Sequence, residues 1–156
     1  MTWRKRHPLL ALQLFLVAAC SAGPTTATAP ATFPTVAIII GNKTFTVEIA
    51  ADLAAREQGL MNRDKMENEH GMIFLFPHSG IYKFWMKDTK IPLDLLFLDT
   101  AGKVVHIVTL QPGDLVGFEN YTPTRYVIEL NAGVAKSLNL KTGDTINLPL
   151  SLPPAR

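Results

Sequence analysis

The sequence concentrates reactive and hydrogen-bonding side chains in one short stretch, residues 84–99, which read FWMKDTKIPLDLLFLD. An indole there could stack on a sugar or peptide group, and carboxylate and hydroxyl oxygens could hydrogen-bond to it. A lysine within the stretch and an arginine before it could attract an anion or carboxylate. These side chains predict a binding site for a small polar or anionic ligand, with the candidate residues Arg63, Trp85, Lys87, Asp88, Thr89 and Asp94.

Asp94 is a carboxylate at the start of a strongly apolar run, residues 93–98. A buried carboxylate must be paired or hydrogen-bonded, so we expect a cation beside it, together with N–H groups of the 87–91 turn. The residues that could supply this cation are Arg56, Arg63, Lys87 and Arg125. Two interpretations stay open: Asp94 ties the loop before it to the sheet, or it forms the polar floor of a ligand pocket.

Trp85 belongs to a segment in which apolar and polar positions alternate. In a strand, Tyr82, Phe84 and Met86 would share one face, and Lys83 and Trp85 the other. If the first face is buried, Trp85 points outward. It would then serve either as a stacking platform or as cover for a strand edge.

Two further chemistries are compatible with the residue types. A hydrolase of envelope glycan or peptide could use Asp88 and Asp94 as paired carboxylates. A Cu(I) carrier could use thioethers and imidazoles, although the irregular spacing is more typical of methionines that fill a core. The residues available for copper are Met61, Met66, Met72, Met86, His70, His78 and His106. No nucleophile motif and no cofactor motif is found, so no cofactor, no metal site and no catalytic residue is predicted.

The N-terminus has the features of an export signal over residues 1–19. A basic start, Arg4-Lys5-Arg6, precedes an apolar run that is too short to span a bilayer and ends in small residues. Val17-Ala18-Ala19-Cys20 resembles the lipobox of bacterial lipoproteins, and Cys20 is the single cysteine. We therefore expect acylation at Cys20 and a membrane-anchored, periplasm-facing protein. Ser21 after the cysteine favours the outer membrane if the source is Gram-negative.

Composition divides the rest of the chain into three parts. Residues 20–34 carry no charge and are rich in Ala, Thr and Pro, which indicates a tether. Residues 35–150 form a single predicted domain, and residues 151–156 a loose tail. After the signal the chain has twelve Lys and Arg against thirteen Asp and Glu, a net charge of −1, so no nucleic-acid partner is predicted. The oligomeric state stays open.

Within the domain, local signals predict many short strands and two short helices. Gly41-Asn42 separates two β-branched runs as a hairpin turn, and Asp52 and Gly59 fit the two caps of a helix. We predict an α+β fold, mainly antiparallel β: a compact curled sheet or partly closed barrel of 7–8 short strands. The predicted strands cover residues 36–40, 43–49, 72–76, 82–86, 93–98, 103–110, 125–130 and 145–148, and the helices cover 53–58 and, capped by Asn131, a segment to about 138.

Several of these motifs together resemble DUF192, a family of bacterial and archaeal proteins. The matching residues are Arg56, Gly59-Leu60-Met61, Arg63, Gly71-Met72, Phe84-Trp85-Met86-Lys87-Asp88-Thr89, Ile91-Pro92-Leu93-Asp94, Glu129-Leu130 with Gly133, and Gly143-Asp144. The chain departs from the family pattern at Asp88, where the family usually has Asn, and at Asn62, where it usually has an aromatic residue. The resemblance runs from about Thr44 to Leu148 and implies no assigned activity.

Overall fold

The computed structural model describes Met1 and residues 33–156. The predicted signal peptide, Cys20 and nearly all of the tether lie outside this part of the chain. Residues 33–156 contain eight strands and two short helices. These are β1 (Thr35–Ile40), β2 (Lys43–Ala50), α1 (Leu53–Gln58), β3 (His70–Gly80), β4 (Lys83–Phe84), β5 (Leu93–Leu98), β6 (Val104–Leu110), β7 (Phe118–Glu119), β8 (Thr124–Asn131) and α2 (Val134–Ser137).

Six of the strands form one sheet in the order β1-β2-β3-β8-β5-β6, and β4 pairs with β7 in a small second sheet. All neighbours are antiparallel except β2 and β3. That pair is parallel because the connection between the two strands is a crossover that contains α1. The predicted mainly antiparallel curled sheet with two short helices is confirmed, and within residues 33–156 the sheet does not close into a barrel.

The large sheet is covered on both faces, which explains the unbroken apolar run of β5. Leu95 and Phe97 point into a core that includes Leu60, Phe74 and Phe84, and α1 packs there through Ala55. We call this side the α1 face. Leu96 and Leu98 point into a second core with Ile73, Ile128 and Ile146, against which α2 packs through Val134. We call this side the α2 face.

The cap and turn signals place their elements where they were predicted. The Asp52 side chain accepts a hydrogen bond from the Ala55 N–H at 2.9 Å, and Gly59 ends α1 with φ 46°. Gly41 adopts φ 62° in the β1–β2 turn, a left-handed conformation that glycine takes without steric cost.

Other boundaries differ from the prediction because distant contacts set them. β3 continues past Pro77 to Gly80, with an irregularity between Leu75 and Gly80 where the proline needs no ladder partner. Only Lys83–Phe84 remains of the expected 82–86 strand. The predicted 145–148 strand is reduced to a bridge between Lys103 and Thr145.

Two C-terminal features also differ. The helix expected after Asn131 begins instead after Gly133, while the Asn131 amide donates to the Met66 and Glu67 carbonyls. Residues 151–156 were predicted to be a loose tail, but Leu152 and Ala155 pack against the α2-face core. The Arg156 N–H donates to the carbonyl of Ala51, the residue after β2, at 2.7 Å, which fixes the end of the segment.

We find no helix in the described part of the chain that has the length and apolar character needed to cross a membrane.

Candidate functional site

The predicted binding block is split between the two faces of the sheet. Trp85 and Thr89 line a cavity on the α1 face, whereas Asp94 lies under α2 on the opposite side. Lys87 and Asp88 are exposed and do not line the cavity. The structure therefore brings Trp85 and Thr89 together and leaves Asp94 apart from them.

Asp94 is fully buried, and both of its carboxylate oxygens are hydrogen-bonded. Oδ1 accepts from the Thr109 hydroxyl at 2.6 Å, and Oδ2 accepts from the Ala135 N–H at 2.9 Å. None of the ion pairs among residues 33–156 involves Asp94, so the prediction that a cation pairs with Asp94 is wrong. Asp94 joins β5 to β6 and to the first turn of α2, which is a structural task.

The cavity on the α1 face has a volume of about 280 Å³. Its walls are largely aromatic: Phe74 meets Phe84 edge to face with ring centroids 5.2 Å apart, and Phe76 stacks on Tyr82 at 3.6 Å. The lining comprises Leu53, Arg56, Glu57, Gln58, Gly59, Leu60, Met61, Phe74, Phe76, Tyr82, Lys83, Phe84, Trp85, Thr89 and Glu129.

Glu129 supplies the buried carboxyl group of this cavity. It lies in the middle of β8, opposite Met72 of β3 and Leu95 of β5, and is 6% exposed. Burial raises the pKa of Glu129 to about 8, although the nearby Arg63 charge lowers it, and no hydrogen bond stabilises the ionised form. The carboxyl group is therefore largely protonated at neutral pH.

The Glu129 oxygens keep access to the cavity. Within residues 33–156, every side-chain nitrogen or oxygen that is fully enclosed has a hydrogen-bond partner. The Glu129 oxygens have no partner in the protein, so they are not fully enclosed. Its oxygens must consequently reach the open space that the residue lines. A buried acid without a protein partner, directed into an apolar cavity, is the arrangement expected of a binding or proton-transfer site.

Sequence reasoning did not select Glu129, which was quoted only as part of a family motif. The signal that could have found it is a lone acid inside the apolar β8 run, Val127-Ile128-Glu129-Leu130. Such an acid, on the same face as Val127, must be buried whenever that face is covered.

Arg63 lies beside Glu129 but is bound to Glu48. Glu48, Met72 and Glu129 occupy one row across β2, β3 and β8, so the two glutamates share the α1 face. The Arg63 nitrogens Nη1 and Nη2 donate to the two Glu48 oxygens at 2.5 and 2.7 Å. This hydrogen bonding raises the pKa of Arg63, despite the opposing effect of burial. Both terminal nitrogens of the predicted anion-binding arginine therefore already have a carboxylate partner.

The rim of the cavity is formed by two connected turns. Asp88 adopts φ 54°, and its carbonyl accepts from the Asn62 N–H at 2.7 Å, where Asn62 itself has φ 63°. Asn and Asp are the non-glycine residues that most readily adopt this left-handed conformation. The family's usual Asn can therefore be replaced by Asp88 without a change in the turn.

Trp85 and Thr89 project from this rim in different ways. Trp85 is 54% exposed, as its alternation predicted, and the Lys87 Nζ lies 5.8 Å from its ring centroid. Thr89 is buried, and its hydroxyl donates to the Lys87 carbonyl at 3.3 Å. The Trp85 indole is thus an accessible wall of the cavity, and Thr89 is a buried one.

The methionines proposed for copper lie largely in the α1-face core, and two of the histidines have partners of their own. Met72 and Met86 are buried in the α1-face core. His70 pairs with Glu67 at 3.3 Å, and His106 stacks on Phe118 with ring centroids 4.8 Å apart. In the part of the chain that the structure describes, no group of three or more His, Cys, Asp or Glu side chains could hold a metal ion.

Comparison with known proteins identifies the family. The DUF192 family model, described as an uncharacterised conserved group, matches residues 36–148. The chain belongs to the DUF192 family. This DUF192 protein is 32% identical over 108 residues to a UPF0127 protein of Pyrococcus abyssi, covering 64% of this chain and 83% of the relative. It is 30% identical to a UPF0127 protein of Pyrococcus horikoshii, covering 64% and 84%.

Two crystal structures share the fold of this DUF192 protein. One, from Sinorhizobium meliloti, carries the provisional description of a transcription regulator; it has a TM-score of 0.71 and 35% identity, covering 76% of this chain and 97% of that one. The other, from Novosphingobium aromaticivorans, is a protein of unknown function with a TM-score of 0.65 and 32% identity, covering 78% and 94%.

Eight of the residues that carry the DUF192 resemblance line the cavity, whereas others, such as Asp94 and Gly143-Asp144, lie elsewhere. The eight come from three distant parts of the chain: the end of α1 and the turn after it, the β4 region, and β8. Those that line the cavity are Arg56, Gly59, Leu60, Met61, Phe84, Trp85, Thr89 and Glu129.

Proposed function

We propose that this protein is a binding module for a small ligand, which occupies the cavity on the α1 face and contacts Glu129. The module would act in the cell envelope, exported and anchored by lipid at Cys20. The single observation that carries the binding proposal is the buried Glu129 carboxyl group, which has no protein partner and reaches the cavity.

A purely structural role explains Glu129 poorly. Burial of an unpartnered polar group costs roughly 1–3 kcal/mol on the scale of protein mutations, and an apolar residue would cost nothing there. Asp94 illustrates the alternative, since its two oxygens have protein donors and do not face the α1 cavity. Glu129 lacks such donors, so a ligand that supplies the missing partner accounts for its retention.

The cavity has the general character of a small-molecule site. It is concave and mostly apolar, with a few polar groups, and its volume of about 280 Å³ is at the small end of ligand pockets. Trp85 could close over a bound molecule from the rim. A short molecule fits these dimensions better than a polymer chain.

The rival hydrolase receives no support from the arrangement of its carboxylates. Asp88 lies in an exposed turn on the rim, and Asp94 is hydrogen-bonded under α2 on the other face of the sheet. Paired acid–base catalysis needs two carboxyl groups across one substrate. We therefore keep binding as the proposed function.

The envelope location rests on residues outside the described part of the chain. The basic start, the short apolar run and the lone Cys20 support export and lipidation. With a net charge of −1 after residue 19, the domain has no electrostatic preference for nucleic acid, and we propose no such partner.

The binding proposal is tested by a fragment screen with the full-length protein labelled with ¹⁵N. Fragments that bind should shift the amide signals of Trp85, Thr89 and Glu129, and Trp85→Ala should weaken them at least fivefold. Tyr121→Ala removes an aromatic residue that is 87% exposed and lies outside the cavity lining, so it should leave the affinities unchanged. A diverse screen in which no fragment shifts the cavity residues would refute the proposal.

A further inference from the structure

We infer that the cavity selects a small organic cation, a primary amine on a compact apolar body, whose ammonium group pairs with Glu129. This inference rests on the proposed function, since it assigns a ligand class to the same cavity. It departs from the anionic ligand that the sequence suggested, and the charges around the cavity are the reason.

The guanidinium groups near the cavity already donate to acceptors of the protein itself. Arg63 donates both terminal nitrogens to Glu48. Arg56 donates Nη1 to the carbonyls of Ala51 and Leu75 at 3.0 and 2.9 Å, and Nη2 to the Arg156 carbonyl at 2.9 Å. An anion at the base would therefore lose its hydration and compete with these protein acceptors for the guanidinium groups.

The base of the cavity can instead accept one positive charge. Glu48 and Arg63 neutralise each other, which leaves the Glu129 carboxyl group as the buried acid without a protein partner in the cavity lining, since Glu57, the other acid there, is exposed. A ligand ammonium group would form an ion pair with the ionised Glu129 carboxylate. The enclosed site would strengthen that pair relative to water.

The aromatic walls favour the same ligand. Phe and Tyr rings attract cations at their faces, and Trp does so most strongly. Two rings of the lining already contact protein cations: the Arg56 guanidinium lies 5.5 Å from the Phe76 centroid, and Lys87 lies over Trp85. The remaining ring surface of the cavity could cover the apolar body of an amine.

Pairing with an ammonium group requires Glu129 to ionise, so binding should release a proton below about pH 8. The other charged groups that face the site are Glu48 from β2, Arg63 from the segment after α1, Arg56 and Glu57 from α1, and Lys83 from β4. The affinity for the amine should therefore rise between pH 6 and 8 through Glu129.

The test compares three probes of one shape by isothermal titration calorimetry with the full-length protein at pH 7.5: cyclohexylamine, cyclohexanol and cyclohexanecarboxylate. We expect the amine to bind at least tenfold more tightly than either of the others. Titrations in two buffers of different ionisation enthalpy should show release of a proton with the amine and none with the alcohol.

The matched variants are Glu129→Gln and Glu119→Gln. Glu129→Gln keeps the shape of the side chain and should weaken the amine at least tenfold, while cyclohexanol affinity stays within about threefold, which also shows an intact cavity. Glu119 is an exposed acid outside the lining, so its substitution should change neither affinity.

The outcomes separate the two proposals. If the alcohol or the carboxylate binds as tightly as the amine, or if Glu129→Gln leaves amine binding unchanged, the ligand class is overturned and the binding cavity stands. If none of the three probes shifts the cavity signals and the fragment screen also finds no ligand there, both proposals fail.

Discussion

The burial of Glu129 lowers the stability of the folded protein at neutral pH. Its carboxyl group is buried without a donor, so the protonated form is favoured in the folded protein and its pKa rises to about 8. In the unfolded chain the same group ionises near pH 4.5. The folded state therefore holds a proton that the unfolded state releases between these two values.

This difference predicts that the free energy of unfolding decreases as the pH rises from about 4.5 to 8. A raised carboxyl pKa gives stability that is fully present below the unfolded value and is lost as the pH approaches the folded value. At about 1.4 kcal/mol per pKa unit, the loss is on the order of 5 kcal/mol. Urea unfolding at pH 5, 6, 7 and 8 should show this slope in the wild type and its loss in Glu129→Gln.

Glu119→Gln provides the control for that slope. It removes one exposed acid and should keep the wild-type dependence on pH. Equal slopes in the wild type and Glu129→Gln would mean that the buried acid does not carry the effect.

Asp94 predicts a contrast between two substitutions at one position. Asp94→Ala leaves the buried Ala135 N–H without a partner and opens a cavity, so it should cost about 2–4 kcal/mol of stability. Asp94→Asn can still accept from Ala135 through Oδ1 and donate to the Thr109 hydroxyl, so it should cost less than about 1 kcal/mol. Urea unfolding at pH 7 measures both, and equally severe losses would indicate that the charge itself is required.

Among the elements, the small β4–β7 sheet depends on one close approach of two backbones. A Cβ at Gly117 would collide with the Phe84 carbonyl oxygen and lie 3.1 Å from the Trp85 Cα. Only glycine lets β7 pack so near the strand that carries two cavity residues.

Gly117→Ala and Gly113→Ala therefore form a matched pair. Both glycines have positive φ, 68° and 73°, but a Cβ at Gly113 meets nothing within 4 Å. Gly113→Ala should cost about 1 kcal/mol for the backbone alone, and Gly117→Ala at least about 2 kcal/mol more. Thermal unfolding compares them, and Gly117→Ala should also shift the Trp85 amide signal. Similar losses for the two variants would show that the β4–β7 contact is unimportant.

The elements that could be predicted from sequence are those whose determinants are local. The Asp52 and Gly59 caps, the Gly41-Asn42 turn and the apolar run of β5 each depend on a few neighbouring residues. The extent of β3 beyond Pro77 and the start of α2 depend on partners far along the chain, which no local pattern contains.

The candidate site was only partly predictable for the same reason. Trp85 and Thr89 were selected because their side-chain types are unusual within one short stretch, and both line the cavity. The role of Arg63 depended on Glu48, and the importance of Glu129 on a row across β2, β3 and β8. Asp94 was predicted to share a site with Trp85 and Thr89, but it lies on the opposite face of the sheet. Closeness in sequence does not determine which element covers a given face of a strand.

For the protein as a whole, the large sheet separates a structural polar contact from a candidate binding site. Asp94 and Glu129 lie on adjacent strands, yet Asp94 anchors α2 and Glu129 faces the cavity under α1. In the C-terminal segment, Leu152 and Ala155 also pack on the α2 side. Changes on the α2 face should thus alter stability before they alter binding.

Lipid anchoring predicts the behaviour of a Cys20→Ser variant in a bacterial host. The wild-type chain should sediment with membranes and require detergent for release, because several acyl chains give stable anchoring at about 0.8 kcal/mol per buried CH₂. Cys20→Ser should lose the lipid, and labelling with radioactive palmitate checks this directly. Ser21→Ala leaves the cysteine in place and should still incorporate the label. An unlabelled wild-type chain would contradict the anchor.

The account as a whole depends on Glu129 being a protonated acid that is open to the cavity at neutral pH. We would follow its carboxyl ¹³C signal by NMR from pH 4 to 10 in the ligand-free protein, with Glu129→Gln to assign the resonance. The structure predicts a midpoint near the pKa of about 8 that burial gives Glu129. A midpoint near the ordinary value of 4.5 would mean that the carboxyl group is solvated or paired, and would contradict the proposed site.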